Sequence, residues 1–248
     1  MVDGATRRML ARYAAKYETS AFLEGDPSQF MHQVEGDANR EATAFVASCL
    51  SFGKRELFCA RIRQLIDRAG GNVDAWVREG RFAEMFPSGS SRCFYRFFTG
   101  GDMHRFLCEY RALMRECGTL GAYVRREAGG DGLGAVRAIC RRVGCGGAAV
   151  VPKCANSACK RVCMFLRWMV RSGSPVDLGL WADAVDRRTL VMPLDVHVVR
   201  QATRLGLMPH ASASMPAALR LTAALAEVFP DDPLRGDFAL FGYGVNAV

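Results

Sequence analysis

The sequence predicts an all-α fold, and two observations support that prediction. Between residues 102 and 117, apolar side chains recur at intervals of three and four, which is the stripe of an amphipathic helix. In addition, no turn pair such as Asn-Gly separates two alternating apolar runs, so the sequence carries no β-hairpin signal. Half of the 248 residues are hydrophobic and 23% are charged, a composition that suits a globular chain with a sizeable core.

The other helices are predicted in order along the chain. A first helix is expected at 4–17, and the stretch 41–52, apolar on most sides, indicates a buried central helix. An apolar stripe over 57–66 predicts the next helix, which the pair Gly70 and Gly71 would end. Further helices are expected at about 73–85, 132–143, 157–171, 195–205, 215–228 and 233–243.

The chain divides most clearly at 144–151, a stretch rich in glycine between two helical patterns. We therefore predict two helical lobes. Residues 37–151 would form a central lobe, and residues 1–36 together with residues 152–248 would form the second lobe.

The net charge of +8 comes mostly from arginine. Of the 33 basic residues only four are lysines, which leaves 29 arginines. Arginine suits phosphate binding because its planar guanidinium pairs with phosphate oxygens. A GC-rich genome, which favours arginine codons, would explain the same excess without any function.

The first residues lack the apolar run of a secretory signal, and no apolar stretch reaches the roughly 18 residues of a membrane span. We therefore expect a cytoplasmic protein. Ten cysteines in such a chain argue against a disulfide framework.

Half of the cysteines lie close together, which leaves a metal or iron–sulfur site open. Their spacing lacks the compact Cys-x2-Cys pairs of typical zinc sites. The alternative is a set of buried thiols that pack in the core as small hydrophobic groups, and we expect no metal and no other cofactor. The five residues are Cys140, Cys145, Cys154, Cys159 and Cys163.

Lys160 lies near the start of the predicted helix at 157–171, where Ser157 would be the N-cap and Lys160 the third helical residue. The positive end of the helix dipole and the neighbouring Arg161 are both unfavourable to an ammonium ion there. A lysine with a neutral amine is a competent nucleophile. The alternative is a solvated lysine that extends from the helix end.

Asp195 is a natural N-cap for the predicted helix at 195–205, and Pro193 makes the entry rigid. A carboxylate fixed beside a sugar C1′ would stabilise the positive charge that develops as a base departs, or would orient a nucleophile. The alternative is a cap with no other role. On the same helix Arg200 and Arg204 lie one turn apart and would meet phosphate or water.

Together these elements resemble the helix-hairpin-helix DNA glycosylases. Members of that superfamily carry a catalytic lysine at the start of the helix after the hairpin, and later a catalytic aspartate in an apolar-Asp-x-His/Arg-Val-x-Arg segment. Lys160 is similar to the first element. The segment 194–206, Leu-Asp-Val-His-Val-Val-Arg-Gln-Ala-Thr-Arg-Leu-Gly, is similar to the second. The interval between Lys160 and Asp195 is closest to that of the archaeal 8-oxoguanine glycosylases.

A third match lies near the C-terminus. In the archaeal branch an aspartate, and a tryptophan four residues later, close on the flipped base. Asp237 and Phe241 are similar to that pair, with Phe in place of Trp. The resemblance also implies that Met164, one turn after Lys160, lines the base pocket. The alternative for 237–241 is a terminal helix that packs into the core. The whole chain also resembles a bacterial family labelled as a domain of unknown function.

The resemblance implies a base-excision repair enzyme, a DNA glycosylase with AP lyase activity. Its fold would be two helical lobes with a DNA-binding cleft, and it would act as a monomer on double-stranded DNA with damaged bases, in the cytoplasm at the bacterial nucleoid. Lys160 would attack C1′ of an oxidised purine nucleotide, foremost 8-oxoguanine, while Asp195 stabilises the cation. Backbone contacts would come from Arg161, Arg200 and Arg204.

The sequence departs from the superfamily in three elements. No cysteine follows Cys163, so the C-terminal four-cysteine iron–sulfur cluster of the endonuclease III branch is absent, and the Ser-Ala-Gln segment that many relatives use beside the base reads Leu-Ser-Phe-Gly-Lys-Arg at 50–55. The stretch 152–160 contains none of the glycines that let a hairpin backbone approach a phosphate. Two other functions remain open: a non-catalytic helical protein that binds nucleic acid through arginine, and a cysteine-ligated metal protein.

Overall fold

The computed structural model describes residues 1–144, 150–153 and 157–246, and it confirms the all-α class. Among the described helices, none has both the length and the apolar composition that crossing a bilayer requires. The α-helices are α1 (Gly4–Tyr17), α2 (Gln29–His32), α3 (Asp37–Leu50), α4 (Arg55–Arg68), α5 (Val73–Glu79), α6 (Phe82–Met85), α7 (Gly100–Cys117), α8 (Leu120–Glu127), α9 (Gly132–Gly144), α10 (Lys160–Val170), α11 (Val196–Arg204), α12 (Met215–Ala226) and α13 (Arg235–Asn246). The remaining elements are two 3₁₀ helices (Ser20–Leu23 and Arg187–Thr189) and the strands β1 (Cys93–Tyr95) and β2 (Phe98–Thr99).

Most predicted helices lie within a few residues of their expected bounds, but the short helix α2 has no predicted counterpart and two further regions differ. The single helix predicted at 73–85 is divided into α5 and α6, because Gly80 ends α5 in the left-handed conformation at φ +80°. Helix α8 has no counterpart among the predicted helices. Gly118 follows α7 at φ +82°, and the Thr119 side chain caps α8.

A small antiparallel hairpin lies between α6 and α7, although the sequence carries no hairpin signal. Tyr95 pairs with Phe98 across a turn formed by Arg96 and Phe97. Arg96 has φ +52°, a conformation that hairpin turns usually assign to Asn or Gly. The Tyr95 hydroxyl donates a hydrogen bond to the carbonyl oxygen of Phe52. A tertiary contact therefore stabilises a turn that local sequence does not favour.

Helix α10 lies in the core, where it packs against α3 and α9. Its residues 162–170 are all buried. The Phe165 ring is 5.2 Å from the ring of Phe45 in α3 and 5.1 Å from that of Trp181, measured between centroids. Because the helix is packed along its length, its first residue, Lys160, has a well-defined position.

Helix α1 packs along α13, so the two ends of the described chain lie together. A Cβ atom on Gly242 would lie 2.3 Å from a ring carbon of Tyr17, and only glycine allows this approach. A single cluster of buried apolar side chains includes residues of both predicted lobes. The division into 37–151 and 1–36 with 152–248 therefore stays a prediction.

Candidate active site

Lys160 is the first residue of α10. The N-cap is Cys159, which has φ +48° and ψ +35° in the left-handed region. Ser157 accepts a hydrogen bond from the backbone N–H of Cys159 at 3.1 Å. The prediction that Ser157 caps this helix is therefore wrong, because the left-handed residue delays the start of the helix to Lys160.

Asp195 is the N-cap of α11, as the sequence predicts. Its Oδ1 accepts the backbone N–H groups of His197 and Val198, both at 2.9 Å. These two bonds hold the carboxylate in one orientation and leave Oδ2 for another partner. Leu194, just before the cap, is buried and anchors the entry to the helix.

Lys160 and Asp195 form an ion pair across the two helix starts. The distance from Nζ of Lys160 to Oδ2 of Asp195 is 2.8 Å, and the side chains are 38% and 28% exposed. Burial opposes ionisation of Asp195, but the Lys160 charge and the hydrogen bonds from Lys160, Val198 and His197 outweigh it, so the pKa of Asp195 is lowered. The amine and the carboxylate thus meet although 34 residues lie between them in the sequence.

The lowered pKa of Asp195 predicts a specific dependence of stability on pH. A carboxyl whose pKa falls on folding stabilises the protein above its unfolded pKa, roughly 3.9, and loses that contribution as pH falls through the folded-state pKa. Asn is also a good N-cap, so Asp195→Asn keeps the cap and removes the charge, and with it the titration and the ion pair to Lys160. We expect the urea midpoint of the wild type to fall further than that of Asp195→Asn between pH 6 and pH 3. Equal losses in the two proteins would contradict this interpretation.

The pair opens onto a cavity of about 390 Å³, within the range that small-molecule sites occupy. The cavity is lined by every residue to which the sequence assigns a catalytic or base-binding role: Lys160, Met164, Asp195, Asp237 and Phe241. Larger cavities, of about 680, 520 and 510 Å³, lie around 182–188, beside Arg115 and beside Arg171, away from the pair. The chemistry of the lining residues, rather than volume, therefore identifies the candidate site.

Asp237 lies in the first turn of α13 and is paired with Arg167 of α10. Burial raises the pKa of Asp237, and the Arg167 charge opposes that rise only in part. Arg167 also reaches Asp177, with 3.2 Å between Nε and Oδ1. The sequence did not lead us to predict Arg167. Its spacing from Lys160 and Met164 is helical, however, and places all three residues along one side of α10.

The apolar wall of the cavity includes Phe241, which is 37% exposed, and Met164, which is 9% exposed. Phe22, from the first 3₁₀ helix, lies edge-on to Phe241 with 5.0 Å between ring centroids. Asp26 lies in the same lining. No sequence signal pointed to these two N-terminal residues, because only the packing of the chain ends brings them to the cavity.

The three predicted backbone contacts differ in their surroundings. Arg200 and Arg204 are exposed on α11. Arg161 instead donates to the carbonyl oxygens of Cys49 and Val150, and its guanidinium lies over aromatic rings. Because Nη1 of Arg161 is engaged by two carbonyl oxygens within the protein, its contact with phosphate has less support than those of Arg200 and Arg204 and stays a prediction.

The cysteine group is only partly described, because Cys145 and Cys154 lie outside the described residues. Cys140 and Cys159 are buried, with their Sγ atoms 3.8 Å apart, and Cys163 is buried nearby in α10. Across residues 1–144, 150–153 and 157–246, no group of three His, Cys, Asp or Glu side chains is arranged to hold a metal ion.

Comparison with known proteins adds the family but no activity. No curated protein and no solved structure matches the chain. Residues 26–246 match the sequence model of a family described as "Protein of unknown function (DUF2400)". That range includes every candidate site residue except Phe22. The chain belongs to this family.

Proposed function

We propose that this protein is a DNA glycosylase with AP lyase activity, and that it excises an oxidised purine, foremost 8-oxoguanine. The observation that carries the proposal is the contact between the amine of Lys160 and the carboxylate of Asp195 at 2.8 Å, in the wall of a cavity. An amine nucleophile beside a fixed carboxylate is the arrangement that substitution at a sugar C1′ requires.

The reaction would proceed in balanced steps. Asp195 takes the proton that the Lys160 ammonium must lose, and the free amine attacks C1′. The glycosidic C–N bond breaks as the new bond forms, and the base leaves with the bonding electrons and takes the proton that Asp195 had accepted, so Asp195 is a carboxylate again. The Asp195 carboxylate stabilises the positive charge on the sugar. Opening of the sugar ring yields a Schiff base with Lys160, and loss of a C2′ proton then expels the 3′ phosphate and cuts the strand.

The rest of the cavity would bind the base. A flipped purine would lie against Phe241 and Met164, and Asp237 would accept or share a proton at its polar edge. Arg167 holds that carboxyl in place and is a positioning residue. Flipping costs a few kcal/mol of unstacking and is cheapest at a lesion, which favours damaged nucleotides before any base contact forms.

The surroundings of the cavity suit duplex DNA. Arg55 is exposed at the cavity, Arg200 and Arg204 are exposed on α11, and the chain carries a net charge of +8. The finer fold assignment, a helix-hairpin-helix protein with a DNA cleft, is part of this proposal. The segment that would form the hairpin precedes α10, and its residues 154–156 lie outside the described residues.

A panel of duplexes that carry 8-oxoguanine, hypoxanthine, uracil or undamaged guanine at one position tests the proposal. We expect release of free 8-oxoguanine, identified by mass spectrometry, together with strand cleavage that needs no alkali. Asp237→Asn is expected to slow release on the order of 10-fold or more, because a contact to the base edge is weakened. Salt-sensitive DNA binding without release from any duplex would support the non-catalytic alternative instead.

A further inference from the structure

Phe97 is an aromatic residue whose side chain is largely exposed to solvent. It lies at the turn of the β1–β2 hairpin, and 64% of its surface is exposed. Its ring is 5.3 Å from that of Phe52 and 4.8 Å from that of Phe98. Scattered exposed apolar residues are normal on protein surfaces, so exposure alone indicates no partner.

The hairpin turn is fixed by its neighbours. Arg96 adopts the left-handed conformation, which is unfavourable for a residue with a long side chain. The Tyr95 hydroxyl ties the hairpin to the Phe52 carbonyl. A Cβ atom on Gly53 would lie 2.9 Å from a guanidinium nitrogen of Arg96, so the loop before α4 packs closely against the turn. We name Arg96, Phe97 and the underlying Phe52 the aromatic tip.

Positive charge surrounds the aromatic tip. The segments 51–56 and 92–97 contain four basic residues and one acidic residue, and all five are exposed. An exposed aromatic ring surrounded by cationic side chains is suited to binding a nucleic acid, because the ring stacks on a base and the cations pair with phosphates. The basic residues are Lys54, Arg55, Arg92 and Arg96.

The aromatic tip is joined to the start of α10. The Arg161 guanidinium, one residue after Lys160, lies 5.0 Å from the Phe52 ring and 5.8 Å from the Phe98 ring. Added to the distance from Phe52 to Phe97, this puts the Phe97 ring within about 10 Å of that guanidinium. This sum is an upper limit, and the loop that packs against the aromatic tip at Gly53 also lines the cavity at Arg55, so the aromatic tip borders the cavity.

We infer that Phe97 inserts into the base stack of duplex DNA beside the nucleotide that the Lys160 cavity receives. A nucleotide that leaves the stack opens a gap, and an aromatic wedge restores stacking on the bases that remain. The inference rests on the proposed function for the flipped nucleotide. The preferred partner is a duplex in which a base is missing or weakly paired.

Binding to a duplex with a tetrahydrofuran abasic analogue tests this inference without any chemistry, because that sugar cannot form a Schiff base. A 2-aminopurine next to the analogue reports changes in stacking by its fluorescence. We expect Phe97→Ala to weaken binding to this duplex roughly 10-fold or more and to remove the fluorescence change. Phe97→Trp should retain both. Leu219→Ala is the matched control, since Leu219 is an exposed apolar residue of α12 that does not line the cavity.

The outcomes separate the wedge from the catalytic proposal. Wild-type affinity and fluorescence in Phe97→Ala would overturn the wedge, and base release from 8-oxoguanine DNA would then stand unaffected. A fluorescence change that depends on Phe97, without release of a base from any lesion, would support the wedge and contradict the proposed glycosylase activity. An equal loss in Leu219→Ala would also overturn the wedge, because the effect would not depend on the aromatic tip.

Discussion

Lys160→Gln is expected to lower the single-turnover rate of strand cleavage at 8-oxoguanine by at least about 1,000-fold, because no other residue in the described lining of the cavity carries an amine. The glutamine side chain is one atom shorter than that of lysine, but it is polar and its amide is a hydrogen-bond donor. The fold should therefore persist, and circular dichroism with a melting curve checks that it does. Base release should fall in parallel, since attack by Lys160 and departure of the base belong to one step.

Lys153→Gln is the matched control for this substitution. Lys153 is exposed in the segment before α10 and does not line the cavity. The control removes the same charge from the same part of the chain, and its cleavage rate should stay within a few-fold of the wild type. A cleavage rate for Lys160→Gln close to that of Lys153→Gln would show that Lys160 is not the nucleophile.

Arg171→Met is expected to destabilise the fold by about 3–5 kcal/mol, the largest stability effect of any single change we propose. The Arg171 side chain is 2% exposed and pairs with Asp232, Asp177 and Glu18. Asp177 is fully buried, and burial raises its pKa against the effect of Arg167 and Arg171. Without Arg171, a buried carboxylate loses one of its two cationic partners and must be protonated or solvated.

Urea denaturation of the wild type and of Arg171→Met measures this loss. Arg188→Met is the control, because Arg188 pairs with Asp186 at the surface, where water screens the pair. The control should have the wild-type midpoint. A small loss in Arg171→Met, similar to that of the control, would contradict a structural role for the buried network.

The buried network also supports the candidate site. Arg167 bridges Asp177 and Asp237, so the carboxyl in the cavity is connected to the same ion pairs that stabilise the core. Arg171→Met should therefore impair the site indirectly, through the position of Asp237. Activity measured for this variant reports on stability as well as chemistry, which is why stability is the primary measurement.

Local patterns were sufficient for much of the fold. Apolar spacing predicted the long helices, and an aspartate before a short amphipathic stretch predicted the cap at Asp195. The hairpin was not predictable in this way, because a left-handed arginine at its turn is stabilised by Tyr95 and Phe52, which act from outside the turn. Gly80 divides a predicted helix because it adopts the left-handed conformation, which the spacing of apolar residues does not indicate.

Some residues of the candidate site could likewise be predicted from local sequence patterns, and others could not. Lys160 and Asp195 stand at helix starts, which sequence can locate to within a few residues. Phe22 and Asp26 reach the cavity only because the two ends of the chain pack together, and one sequence carries no signal for that. Arg161 is a different case: its charge suggests a phosphate contact, whereas in the structure its guanidinium donates to two backbone carbonyl oxygens.

Borohydride reduction of the protein with an 8-oxoguanine duplex, followed by peptide mass spectrometry, tests the central claim most directly. The claim predicts one covalent protein–DNA adduct, located on the peptide that contains Lys160, and its absence in Lys160→Gln. An adduct on another lysine or on the N-terminal amine, or an undiminished adduct in Lys160→Gln, would contradict it.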